Sequence, residues 1–473
     1  MLLPIQINQP FNLITTYSHV ILYLCILVII AIALLGIARL YFFKNACNTS
    51  FYRHVGEEPL VSIHLPICNE PPELVLKTIA GVRALHYDNF ELIVISNNTA
   101  DESLWLPVQK EINSLPENFK FYNKPAIKGY KAGALNFALQ YVAETTEFIF
   151  TIDSDYIVEP DALTIAVGTI KKNDVDLLQF PQSYRNISME TSGLEVNYKH
   201  YFDCYLSSSK SKIMALPTGT LSLLDIKIFK DGYQWPTDSI TEDASLGVDL
   251  LKKKKKIGFC NKVIGKGTMP TEPEDYEKQF KRWVFGNFQV LKKVWHNNGL
   301  SFKNRLHLTI LLTAWLNLLG VMFIVLSLAI PAIFLRPYIA THIYLIGSLS
   351  VLLHCIFQFL IFLNISKMNV IKSWNGFLVH LGLLEIGAFY WMGYYINNQK
   401  PFARTNKFMA EHSKTNSFYI LPVLFFLIAV FMFFIDDFFL GSIILAFGLQ
   451  FCYAKFHRDK ELFWSKFNLY KKG

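Results

Sequence analysis

Apolar positions along this chain follow two regimes. Between about Pro59 and Gly267 short apolar runs alternate with amphipathic stretches, whereas before about Lys44 and after about Leu306 they fuse into long blocks. The alternating regime predicts an α/β domain, a mostly parallel sheet with crossover helices. Leu60–Ile67 reads as a first strand, and Pro71-Pro72-Glu73 opens a helix, since proline is tolerated in a first helical turn. Glu91–Ile95 reads as a second, buried strand. Lys131–Glu144 sets Ala132, Leu135, Ala138, Leu139 and Val142 on one face and predicts a helix. Phe148–Ile152 and Leu177–Phe180 complete the strands that this pattern suggests.

The apolar blocks read differently. Ser18 to Ala38 is long enough to cross a hydrocarbon core of about 30 Å. It has no basic stretch ahead and no small-residue cleavage site behind, as expected of a retained anchor. Leu306–Leu335, Tyr338–Leu363, Phe418–Ile435 and Phe438–Tyr453 also look able to span. Trp374–Ile396 is interrupted by Asn375, His380 and Glu385. Laying it in the interface keeps Lys400, Arg404, Lys407, Lys414 and the tail lysines on the cytoplasmic side, and puts Asp436-Asp437 outside. The expected organisation is an N-terminal segment (1–17), a first transmembrane helix (18–43) and a cytosolic domain (57–300). Two transmembrane helices (301–365), an interfacial helix with a loop (366–416), two more transmembrane helices (417–455) and a basic cytosolic tail (456–473) follow.

Composition adds little to this. The 473 residues carry a formal charge of +8. Basic loops beside a membrane attract anionic headgroups and need no nucleic acid, for which no zinc-finger, RRM-like or helix-turn-helix signature is present. The run Lys252–Lys256 reads as a solvated helix end. Seven scattered cysteines without CxxC spacing imply reduced thiols and no structural zinc. The absence of a Walker loop or a Gly-x-Gly-x-x-Gly turn argues against an ATPase or a dehydrogenase.

Asp153-Ser154-Asp155 directly follows a strand-like run, so it sits at a strand's carboxyl end, where open α/β sheets bind ligands. Such carboxylates can hold a hard divalent cation together with a diphosphate. Asp174-Val175-Asp176 has the same spacing but follows a polar turn, which makes it a solvated loop. Thr241-Glu242-Asp243 opens a helix. Acidic residues there can merely favour the macrodipole, with Thr241 a cap. Gln279, Arg282 and Trp283 share a helix face, where arginine can clamp phosphate oxygens and tryptophan can stack on a sugar ring. The bland alternative is an amphipathic helix at a membrane surface.

In this order the three motifs resemble the family 2 inverting glycosyltransferases, which include cellulose, mannan and cyclic glucan synthases. Pro66-Ile67-Cys68-Asn69-Glu70-Pro71, Lys128-Gly129-Tyr130-Lys131-Ala132-Gly133-Ala134-Leu135-Asn136, Pro181-Gln182-Ser183-Tyr184-Arg185, Gly267-Thr268-Met269-Pro270 and Trp283-Val284-Phe285-Gly286-Asn287-Phe288-Gln289 tighten the likeness, which runs from about Leu60 to Leu291. Pro401-Phe402-Ala403-Arg404-Thr405-Asn406-Lys407 looks like the gating loop of processive synthases. The resemblance implies a GT-A type Rossmann-like mixed sheet, a nucleotide-sugar donor and Mg2+ or Mn2+. Asn69 and Glu70 would line the nucleoside pocket; Gly129, Lys131 and the Gly133 turn would lie near the diphosphate. Asp153 would reach the ribose and Asp155 the metal. Asp243, beside Glu242, would be the general base, and Gln279, Arg282 and Trp283 would bind acceptor and pyrophosphate.

One departure stands out. Where the family carries an aspartate for uracil, this chain has Ser96-Asn97-Asn98-Thr99-Ala100-Asp101, so Asn98, or Asp101, would take that role. The expected function is transfer to a growing β-glycan from a UDP-linked sugar. A single transfer to a lipid acceptor and a non-catalytic transporter or sensor are the alternatives, with membrane lipids as partners throughout.

Overall fold

The computed structural model describes residues 19–20, 23–24, 26–39, 50–209, 213–296, 299–316, 337–396, 420–434 and 438–472. The central strand β1 (Val61–Ile67) is buried along its whole length, as its near-continuous apolar sequence requires. It pairs in parallel with β2 (Phe90–Asn97) and β4 (Phe148–Thr151). Helix α1 (Pro72–Arg83) crosses from β1 to β2, and α2 (Glu102–Asn113) from β2 to β3 (Phe119–Lys124). Helix α3 (Tyr130–Ala138) then leads towards β4, followed by β5 (Ile157–Val158), α4 (Ala162–Asn173) and β6 (Leu177–Gln179). Later come α5 (Ser192–Lys199), β7 (Ser222–Asp225), α6 (Glu242–Lys252), β8 (Ile257–Phe259) and β9 (Gly265–Lys266). The sheet has seven strands in the order β3-β2-β1-β4-β7-β6-β8. It is mixed, because β7 runs antiparallel to both β4 and β6.

One face of the sheet buries Val61, Ile63, Leu65, Val94 and Phe150 against Val75, Ile79 and Val82 of α1 and Leu163, Ala166 and Ile170 of α4. On the other face Ala134 and Ala138 of α3 cover Ile93 and Ile95. These small residues let α3 sit close to the sheet, which brings Lys131 to the strand ends. The helix is shorter than Lys131–Glu144. It tightens into a 3-10 turn at Leu139–Tyr141, and Val142 is extended. The physical reason is the buried Glu91, whose Oε1 accepts the Ala143 N–H at 3.0 Å and turns the chain into β4. Gly133 lies within α3; the turn is at Gly129, with φ +86°.

The lysine run is not simply solvated. Lys255 pairs with Asp231 at 3.0 Å and Lys256 with Asp174 at 2.5 Å, while Asp176 accepts the Lys256 N–H at 2.7 Å. Thus the helix end at Lys252–Lys256 and the loop at Asp174–Asp176 hold each other.

After the sheet domain run α7 (Pro273–His296), α8 (Phe302–Leu312), α9 (Pro337–Ile365), α10 (Val370–Gly382), α11 (Leu384–Phe389), α12 (Ile420–Phe434) and α13 (Phe438–Lys472). Among the described residues no single helix is long and apolar enough to cross a membrane. Val370–Gly382 and Leu384–Tyr395 meet that standard only as a pair, bent by 47°; Ile26–Arg39, Leu349–Ile365 and Ile420–Phe434 are shorter apolar helices. Most of the Leu306–Leu335 segment, the Pro401–Lys407 loop and Asp436-Asp437 lie outside the described residues. At the C-terminus α13 continues unbroken through the segment expected as a basic tail, to Lys472. Its charged residues Lys455, Arg458 and Glu461 are buried, while Tyr453, Phe456, Phe463 and Phe467 are exposed.

Candidate functional site

The strand ends of β1, β2 and β4, the start of α6 and the first turns of α7 enclose one cavity of about 170 Å³. Asp153, Asp155, Lys131, Glu242, Asp243, Gln279, Arg282, Trp283 and Glu70 all line it. Three motifs far apart in sequence therefore meet. Lys131 is the hub: its Nζ donates to Asp153 Oδ1 at 2.5 Å and to the Gly219 carbonyl at 2.7 Å, and stands 3.8 Å from Glu242 Oε1. Burial would lower the pKa of this lysine, but Asp153, Glu242 and Asp243 outweigh it and hold the ammonium charged.

Asp155 is 3% exposed; its Oδ2 accepts the Thr268 N–H at 2.7 Å and its carbonyl accepts Arg185 Nη1 at 3.0 Å. Asp153 is anchored through its own N–H, which donates to Thr220 Oγ1 at 3.0 Å. Across the cavity, Thr241 begins α6 without a side-chain cap bond. Burial raises the pKa of Asp243 first, the adjacent Glu242 charge raises it further, Lys131 opposes both, and the result is about 7. A carboxyl tuned near neutrality suits a general base. Burial lowers the pKa of Arg282, and the facing Glu242, Asp153 and Asp243 counter that effect.

Glycine makes two of these approaches possible. At Gly219, φ is +80°, and a Cβ would come within 3.0 Å of Asp243 Oδ2. At Gly286 a Cβ would meet Thr241 Cγ2 at 2.5 Å, so α7 can pack directly on the start of α6.

Four residues expected at the donor, Asn69, Asn98, Gly129 and Gly133, do not line the cavity. Asn98 instead stitches the loop after β3, accepting the Ile127 N–H at 2.8 Å and donating to its carbonyl at 3.1 Å. Asp101 caps α2 by accepting the Ser103 N–H at 2.9 Å. Asn97 borders the cavity and donates to the Ile67 carbonyl at 2.8 Å. The cavity is also lined by Tyr130, Gln182, Tyr184 and Gly219, of which three sat in motifs quoted for their likeness alone.

A second, aromatic cavity shares Gln182, Thr218, Thr241, Asp243 and Trp283 with the first and continues to Tyr198, Tyr201, Phe202, Leu312 and Trp315. Trp283 stands at the junction, its ring 5.0 Å from that of Trp315. Among the described residues no group of three or more His, Cys, Asp or Glu side chains could by itself hold a metal ion. Asp153 and Asp155 nevertheless fit a magnesium-like ion, which typically takes one or two carboxylates and fills its remaining positions with phosphate oxygens and water. The Lys131 ammonium seated on Asp153 shows that this corner accommodates positive charge.

The sheet and the strand-end carboxylates define a GT-A type glycosyltransferase domain. A mannosyltransferase from Pyrobaculum calidifontis, solved in complex with GDP-Man and Mn2+, superposes with a TM-score of 0.53 at 18% identity, covering 69% of this chain and 98% of that one. The chain belongs to glycosyl transferase family group 2, whose profile matches residues 148–435; that of glycosyl transferase family 2 matches 62–231. Poly-beta-1,6-N-acetyl-D-glucosamine synthase of Staphylococcus epidermidis is 26% identical over 228 residues, 47% of this chain and 54% of its own length. A probable glycosyltransferase of Sulfolobus acidocaldarius is 26% identical over 291 residues, 58% and 60% respectively. Glucomannan 4-beta-mannosyltransferase 1 of Cyamopsis tetragonoloba is 27% identical over 248 residues, 50% and 46%. The chain thus spans about half the length of the curated relatives it matches.

Proposed function

We propose that this protein is a membrane-embedded inverting glycosyltransferase that moves a sugar from a nucleotide sugar to the hydroxyl of a growing β-glycan. One arrangement carries this reading: Asp153, Asp155 and Lys131 converge on one cavity with Asp243, Arg282 and Trp283. Lys131 and Arg282 hold the donor diphosphate by charge-assisted contacts. Asp243 accepts the proton of the acceptor hydroxyl as that oxygen attacks the anomeric carbon, and the sugar–phosphate bond breaks on the opposite side. A single displacement of this kind converts an α-linked donor into a β-linked product. Mg2+ or Mn2+, held by Asp153 and Asp155, would neutralise charge on the departing diphosphate. Gln279 accepts the Tyr198 hydroxyl at 2.8 Å, which supports a place for it in the wall beside the acceptor.

UDP is the nucleotide favoured by the resemblance, while the solved neighbour holds GDP-Man. A polymer acceptor is supported by relatives named as a polysaccharide synthase and a glucomannan mannosyltransferase. The aromatic cavity beyond Trp283 suits stacked sugar rings. Its apolar walls also favour the second reading, one transfer to a lipid acceptor. Membrane embedding is supported by the exposed Leu349, Leu352, Leu353, Ile356 and Leu360 of α9 and Val423, Phe426, Leu427 and Val430 of α12, apolar helix faces of the kind lipid covers. The gating role of Pro401–Lys407 and the cytosolic side of the sheet domain belong to the same reading.

Membranes containing the protein, incubated with a panel of radiolabelled nucleotide sugars and resolved by size, test it. Long products support a polymerase, a single-sugar lipid product supports the second reading, and no transfer from any donor contradicts both.

A further inference from the structure

We propose that the last turns of α13 form a positioning element of the diphosphate–metal site, with Ser465 and Asn186 as positioning residues that set the direction of Asp155. The inference rests on the glycosyltransferase reading and deepens it.

The path is short and buried. Asn186 is 1% exposed and Ser465 is 0% exposed. Asn186 Nδ2 donates to Ser465 Oγ at 2.6 Å and to the Met269 carbonyl at 3.1 Å, while Asn186 Oδ1 accepts the Met269 N–H at 3.0 Å. An amide doubly bonded to one residue's backbone fixes that peptide as another strand would. The neighbouring peptide carries the Thr268 N–H that donates to Asp155 Oδ2 at 2.7 Å. The same two segments are laced again by Arg185 N–H donating to the Gly267 carbonyl at 3.0 Å, and Arg185 Nη1 reaches on to the Asp155 carbonyl. One peptide N–H and one guanidinium thus hold Asp155, and Ser465 braces the segments that carry them from behind.

Its neighbours on α13 reach the same two segments. Asn468 Nδ2 donates to Ser188 Oγ at 2.8 Å, two residues beyond Asn186. Lys466 pairs with Glu272 at 2.6 Å, three residues beyond Met269. Polar residues buried on one side of a helix whose other side exposes Phe463 and Phe467 invert the usual pattern, in which the apolar face packs inward. Packing alone does not call for a hydroxyl at 465, since alanine is the better helix former. Outer-sphere groups that orient metal-binding carboxylates typically change metal affinity by about 10–100-fold when removed.

The test uses the full-length protein in detergent and titrates Mn2+ in the presence of inorganic pyrophosphate, with unbound Mn2+ read by electron paramagnetic resonance. Ser465→Ala should raise the Mn2+ Kd about tenfold. Ser465→Thr should restore it, and the outward-facing Phe463→Ala should leave it unchanged, all with thermal midpoints near wild type. Asn186→Asp, which keeps the acceptor but loses the donor, should weaken Mn2+ as Ser465→Ala does. An unchanged Kd in both Ser465→Ala and Asn186→Asp, with wild type binding normally, overturns the positioning role alone. A wild-type protein that binds no Mn2+ with pyrophosphate overturns the metal-site reading, and the inference with it.

Discussion

Asp243 and Glu242 show how a residue's surroundings set its chemistry. Asp243 is useful as a base only when ionised, and burial beside Glu242 brings its pKa up to about 7. Below that pH it is protonated and cannot take the acceptor's proton. Accordingly kcat/KM should fall about tenfold per pH unit below neutrality and level off above it. A profile flat from pH 5 to 8 would remove Asp243 from the base role. Gly219→Ala should also depress transfer, because its Cβ would intrude at 3.0 Å from Asp243 Oδ2 and 3.2 Å from Lys131 Nζ, at a positive φ. Steady-state rates beside a thermal melt separate that intrusion from backbone strain of about 1–3 kcal/mol. The charged members of this site were legible in the sequence because carboxylates at a strand end and at a helix start carry a positional signal. Gly219 and Tyr130 carry none, and the role of Asn98 depends on a loop contact to Ile127 that adjacency along the chain cannot reveal.

Among the elements, β1, β2 and β4 were readable because burial on both faces leaves near-continuous apolar runs. Strand β3 was not: all six of its residues are half-buried, and Phe119–Lys124 shows no clean run. Strands β7 and β8 are four and three residues long, too short for any period to show. The end of helix α13 was hidden for another reason, since composition reads Lys455, Arg458, Lys460 and Lys466 only as a basic tail and carries no sign of a helix. In the fold Arg458 is fully buried, donating to the Gly382 carbonyl at 2.7 Å and to Glu277 Oε1 at 3.0 Å. Glu277 lies two residues before Gln279, so this pair ties α13 to the helix that lines the site. Arg458→Ala leaves the Glu277 carboxylate buried without its main partner. It should cost about 3–5 kcal/mol in thermal or denaturant unfolding. A loss below 1 kcal/mol would mean that Lys281, 3.1 Å from Glu277, and Lys455, 3.8 Å away, hold its charge without the arginine.

Across the whole molecule, a sheet domain and an apolar helical region share contacts rather than a linker. Gly193 of α5 lies so close to α10 that a Cβ would meet the Asn375 carbonyl at 2.6 Å. Trp315, just past α8, packs on Trp283. Embedding predicts that the protein stays in the membrane pellet through alkaline carbonate washing; release into the supernatant would contradict it. Direct packing also puts Asp243 on the wall of the aromatic cavity that continues to Leu312 and Trp315. The central claim is that Asp243 deprotonates an acceptor for one in-line displacement on a donor held from the other side. Its most direct test is the anomeric configuration of the product, read by NMR from an α-linked nucleotide sugar, with wild type and Asp243→Asn assayed side by side. The account predicts a β-linkage from wild type, with Asp243→Asn still binding the donor but transferring at least about 10²-fold more slowly. An α-linked product, or undiminished transfer by Asp243→Asn, would contradict it.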